Sequence, residues 1–108
     1  VALEHRADTA VEAAAMLGAS LRLGTGSTVL VCNPVPPARA MDAGEVARAV
    51  HESERLADEA GIDGKERTPF LLSRLAELTD GRSLVANLAL LEDNARVAAE
   101  IAVAAAAT

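Results

Sequence analysis

The chain has 108 residues, which suits one small domain. Its net charge is −6, and Arg22, Arg39, Arg48, Arg55 and Arg82 are scattered along it; this excludes a basic patch for nucleic acid or an anionic membrane, since phosphate backbones recruit clustered Lys and Arg. Hydrophobic residues make up 51%, but Phe70 is the only aromatic and alanine supplies much of the rest, so at ~0.8 kcal/mol per buried CH₂ each helix gains little by packing and needs neighbours.

The first predicted element is a helix over about 9–23. Thr9 with Glu12 has capping-box spacing, Val11, Ala14, Leu17 and Leu21 share a face, and Gly24 to Gly26 ends the run. "STVLVCN" follows, a β-branched stretch that predicts one buried strand over about 27–33. Its lack of alternation suits a sheet covered on both faces, and a lone strand needs a partner from elsewhere. Pro34, Pro36 and Pro37 hold the next loop extended.

Asp42 caps a helix over about 42–60, with Val46, Val50, Ser53, Leu56 and Ala60 at core spacing; Gly61 and Gly64 close it. Thr68 as N-cap and Pro69 at the first helical position open a helix over about 69–79, with Phe70, Leu71, Leu75 and Leu78 as its inner face. Asp80 and Gly81 turn the chain, and Ser83 caps a last helix over about 84–105. The fold class expected is therefore α/β, a helix-rich piece of a three-layer α/β/α protein. No signal peptide or membrane span is evident. The single Cys32 excludes a disulfide within the chain and suits a reducing compartment.

The candidate functional residues are carboxamides. Asn87 and Asn94 lie seven residues apart on the last helix, within ~20° of each other around its axis, on a stripe with Leu91, Ala98 and Ile101. A buried carboxamide without partners costs ~1–3 kcal/mol, so either a structural hydrogen bond or a polar ligand must answer each one. A carboxamide offers a donor beside an acceptor, which matches the edge of an imide such as a pyrimidine. Asn33, in the proline loop, is a third candidate. "LGTGSTVLV" is no dinucleotide fingerprint, because its glycines precede the strand. Cys32, His5 and His51 lack metal-ligand spacing; Cys32 is expected in the core and His51 in solvent. No acidic pair stands out as a general acid and base.

Three stretches, "VLVCNPVP", "GKERTPFLLSRLAELTDGRSL" and "ANLALLEDNARVAAEIA", in this order and spacing, resemble the pseudouridine-5′-phosphate glycosidases, the indigoidine synthase A-like family. The resemblance runs from about Leu3 to Ala104 and is most specific from Gly64 through Leu84. It implies an α/β subunit in a cytoplasmic trimer that reversibly cleaves pseudouridine 5′-phosphate to uracil and ribose 5-phosphate with a divalent metal, typically manganese.

The bond broken is carbon–carbon, beyond the usual carboxylate pair of glycosidases. By resemblance, a lysine forms an imine with the opened sugar, a glutamate moves the proton and an aspartate helps hold the metal. All three lie upstream of the matched region, and Lys65 belongs to a different motif. The expectation is thus residues 1–108 as the C-terminal part of one domain whose catalytic part is absent, with no catalytic residue or metal ligand of its own. Asn87 stands where the family presents an asparagine to uracil. Asn94 matches the second member of a paired-asparagine motif whose first member is here Asp93, a departure. The alternative is a binding or assembly module that kept the scaffold without the catalysis.

Overall fold

A computed structural model describes residues 2–108. It contains four α-helices and one short 3₁₀ turn: α1 Ala10–Leu23, α2 Ala43–Glu59, the turn Gly64–Glu66, α3 Arg67–Leu78 and α4 Arg82–Ala106. No strand is present among the described residues, so the expected strand over 27–33 is corrected to coil, and the described residues are helix-rich rather than α/β. The reason is the missing partner: β-branched residues favour extended backbone, but a strand exists only where another strand takes up its N–H and C=O groups. Leu30 and Val31 are accordingly exposed.

The described residues form two compact units. One comprises residues up to 34 together with 91–108; the other comprises residues 35–90.

In the first unit, α1 begins as its capping residues dictate. Thr9 Oγ1 accepts the Glu12 N–H at 3.2 Å, and Glu12 Oε2 accepts the N–H of Asp8 at 2.6 Å, one residue before the usual capping-box partner. Gly24, at φ 63°, ends the helix in the left-handed region and returns its N–H to Leu21. The buried side chains of α1 are Ala13 and Ala14, whereas Val11 and Leu21, expected inside, are exposed. The helix is turned so that its smallest side chains face inward.

In the second unit, Asp42 caps α2 by accepting the Glu45 N–H at 3.0 Å. α2 ends in paired bonds from Gly61 N–H to Asp58 and from Ile62 N–H to Ala57, with Gly61 at φ 67°. Its innermost residues are Ala49, Ser53 and Ala57. Of the expected face, Ser53 is buried and Val46 and Leu56 are half-buried, while Val50 and Ala60 are exposed; Ala49 and Ala57 join Ser53 inside because small side chains let α3, which packs on α2, approach closely. Ser53 Oγ satisfies itself on the Ala49 carbonyl at 2.8 Å.

The entry to α3 also differs from expectation. The Gly64–Glu66 turn leads directly into Arg67, so Thr68 is helical and Pro69 is the third residue of the helix. Proline is tolerated there because the first four helical N–H groups have no intrahelical partner. Arg67 Nη1 ties this entry to the end of α2, donating to the Ile62 carbonyl at 3.1 Å and lying 3.0 Å from Asp58 Oδ1. Leu78, expected inside, is exposed.

The join of α3 to α4 rests on Thr79, not on the expected Ser83 cap. Thr79 is 1% exposed. Its hydroxyl donates to the Leu75 carbonyl at 2.7 Å and accepts the Ser83 N–H at 3.1 Å, so one oxygen serves the end of α3 and the start of α4. Asp80 (φ 51°) and Gly81 (φ 78°) then make the reversal, and Gly81 N–H returns to Ala76 at 2.8 Å. Replacing Thr79 with Val, which keeps shape and removes the hydroxyl, should lower unfolding stability by about 1–2 kcal/mol. Thr79→Ser should recover most of it in chemical denaturation.

Candidate functional site

The second unit carries a cavity of about 330 Å³, within the range of small-molecule sites. Leu72 and Leu75 from α3, Val46 from α2, Met41 from the preceding loop and Leu84 from α4 give it apolar walls. Among the described residues, Ser83 and Asn87 are its only polar lining. Asn87 is half-buried, and its carboxamide makes no hydrogen bond to any described residue. The pocket thus offers apolar surfaces with one carboxamide and one hydroxyl among them. Beside α4, Arg82 forms a two-pronged ion pair with Glu45, its Nη1 lying 3.0 Å from Glu45 Oε2. That contact holds the starts of α4 and α2 together and lowers the Glu45 carboxyl below its ordinary range, the Arg82 hydrogen bond being the largest cause.

The first unit brings together the other two predicted carboxamides. Asn33 Nδ2 donates to Asp93 Oδ2 at 2.8 Å and to Asn94 Oδ1 at 3.0 Å. Arg96 adds Nε and Nη2 to Asp93 Oδ1 at 3.0 and 2.7 Å, and its Nη1 reaches Glu100 Oε1 at 2.6 Å. Asp93 is held below the ordinary aspartate range, first by the Asn33 hydrogen bond and then by those of Arg96. For Asn33 and Asn94 a structural hydrogen bond therefore exists; Asn94 itself is exposed, as is Leu91 on the same stripe. The sequence marked Asp93 only as a departure from a motif and missed Arg96. The signal for both was the spacing Asp93–Arg96–Glu100, which places an arginine between two carboxylates on one helical face.

Cys32 is exposed rather than in the core, because the coil around it has no partner strand to cover it. His51 is exposed, as its charged neighbours suggested. Among the described residues no three His, Cys, Asp or Glu side chains gather to hold a metal ion. No described helix is long and apolar enough to cross a membrane.

Comparison with known proteins decides the kinship. The family model described as "Indigoidine synthase A like protein" matches residues 1–104. The chain belongs to the indigoidine synthase A-like family. Among curated relatives, the pseudouridine-5′-phosphate glycosidase of Sorangium cellulosum (strain So ce56) is 49% identical over 102 residues, covering 94% of this chain and 32% of that protein. Pseudouridine-5′-phosphate glycosidase 2 of Rhizobium johnstonii is 48% identical over 101 residues, 94% of this chain and 33% of its own length. The pseudouridine-5′-phosphate glycosidase of Caldanaerobacter subterraneus subsp. tengcongensis is 42% identical, with the same coverage. The chain thus spans about a third of the length of the curated relatives it matches.

The carboxylates of this indigoidine synthase A-like chain give a signed pH dependence. Asp93, Glu45 and Glu52 are each lowered by an arginine or amide partner. A carboxyl lowered on folding adds stability above its ordinary value, and that stability is lost as pH falls through the lowered one. The unfolding midpoint should therefore hold steady near neutrality and drop below the ordinary values of 4.5 for glutamate and 3.8 for aspartate. Thermal melts across that window check this, and Asp93→Asn should flatten part of the drop.

Proposed function

We propose that this chain is part of an enzyme that reversibly cleaves the carbon–carbon glycosidic bond of pseudouridine 5′-phosphate to uracil and ribose 5-phosphate, and that it contributes scaffold and a wall of the nucleobase pocket. The observation that carries the reading is the carboxamide of Asn87, which has no hydrogen-bond partner among the described residues, in a cavity that is apolar apart from it and Ser83. A pyrimidine has two apolar faces and an edge that alternates N–H with C=O. Apolar walls accept the faces, and one carboxamide pairs with N–H and C=O at once. The names of the relatives agree with this substrate. In the same proposal Asn94 and Asn33 form a second polar cluster toward the substrate.

In the same proposal, as the family resemblance implies, the imine-forming lysine, the proton-moving glutamate and the metal-binding aspartate lie upstream of the segment matched here. Manganese would be held there; its chemistry when bound would be to polarise oxygens of the substrate. Assembly as a cytoplasmic trimer is part of the same proposal.

In the complete gene product, Asn87→Ala should raise the KM for uracil roughly tenfold, the loss of one or two hydrogen bonds, while the KM for ribose 5-phosphate stays within about twofold. Steady-state kinetics in the synthetic direction measure both, and an unaltered uracil KM would remove Asn87 from the base site. The 108-residue chain alone should show no glycosidase activity; turnover by it would overturn the placement of the chemistry elsewhere.

A further inference from the structure

The Asn33–Asp93–Asn94 cluster is more specific than three polar side chains in contact. The oxygen and nitrogen of a carboxamide are alike in outline, so its hydrogen-bond partners alone decide which end points where. Asn33 has a partner that leaves no choice. An ionised carboxylate only accepts, and Asp93 is ionised at neutral pH because both Asn33 and Arg96 favour its charged form. Arg96 occupies Asp93 Oδ1 with two N–H groups, and Oδ2 faces Asn33. Asn33 must therefore present Nδ2 to Asp93. Its second N–H reaches Asn94 Oδ1, which turns the Asn94 amino group the other way.

Two polar atoms are left without a partner among the described residues, the Oδ1 acceptor of Asn33 and the Nδ2 donor of Asn94. Asn33 is half-buried and Asn94 exposed, so both can be reached from solvent.

We propose that Asp93 is a positioning residue that sets the polarity of this pair, so that the cluster takes a ligand edge presenting a donor to Asn33 and an acceptor to Asn94. The inference rests on the reading that Asn33 and Asn94 face substrate, and it goes further by assigning each one a single role. The N–H/C=O edge of the base and neighbouring hydroxyls of the ribose share that chemistry. With asparagine at position 93, Arg96 would still take its Oδ1, its Nδ2 would face Asn33, and Asn33 would have to turn its own Oδ1 inward, which reverses both amides.

The test uses the complete gene product and its KM values for uracil and for ribose 5-phosphate. Asp93→Asn, nearly isosteric, should raise one of them about fivefold, with kcat within twofold; the one that moves identifies the half of the substrate concerned. The exchange variant N33D/D93N rebuilds the amide–carboxylate hydrogen bond in reverse. It should recover the melting temperature of the parent but not its KM, because a carboxylate at position 33 has no N–H to give Asn94. A merely structural role would restore both, and that result overturns the proposal. So does an unchanged KM in Asp93→Asn while Asn33→Ala raises it, which leaves the substrate-facing reading intact. If Asn33→Ala and Asn94→Ala both keep the parent KM values, the substrate-facing reading itself is overturned, and the inference with it.

Discussion

The Thr79 hydroxyl is the interaction on which the second unit depends. It donates to the end of α3 and accepts from the start of α4 with a single buried oxygen. The first residue of α4 fixes the rotational phase of every residue after it, because each step along a helix turns by about 100°. Asn87, five residues beyond Arg82, owes its place in the cavity wall to that start. A one-residue slip would rotate it to a neighbouring face and take its carboxamide out of the pocket wall.

This reliance on end caps follows from composition. The most buried side chains are Ala13, Ala14, Ala49, Ser53, Ala57, Thr79 and Ala86, none of which removes much apolar area from water. Hydrogen bonds at helix ends and arginine staples supply the direction that packing does not. Arg67 joins the end of α2 to the entry of α3, and Arg82 joins the starts of α2 and α4. Arg96 works within one helix, and its value lies in holding Asp93 charged beside Asn33. Surface ion pairs contribute little stability alone, but here they choose geometry where alanine faces would allow several.

Much of the helical framework was legible from local signals. Thr9 with Glu12, Asp42, Gly24, Gly61 and the Asp80–Gly81 turn all act within five residues of themselves, so their spacing carried the information. The errors lie where a partner outside the window decides. The residues 27–33 have strand composition and no strand to pair with. Pro69 is compatible with any of the first helical positions, so it could not place the helix start. The inner face of α2 was legible only in part: Ser53 lies inside as its spacing indicates, but hydrophobic periodicity favours Val50, while close approach of α3 favours Ala49 and Ala57. For the candidate site, Asn87 and Asn94 were visible as carboxamides in an apolar helix, but not their different surroundings, one lining a cavity and the other bonded to Asn33.

By itself the sequence determined the four helices, their turns and the family, because caps, turn residues and motif order are properties of neighbouring positions. Only the tertiary structure decided that Asn33 meets Asp93 across 60 positions of chain, that Thr79 rather than Ser83 starts α4, and which helical faces turn inward. Those outcomes depend on side chains distant in sequence competing for the same space and the same hydrogen-bonding groups, and no local pattern encodes which of them wins.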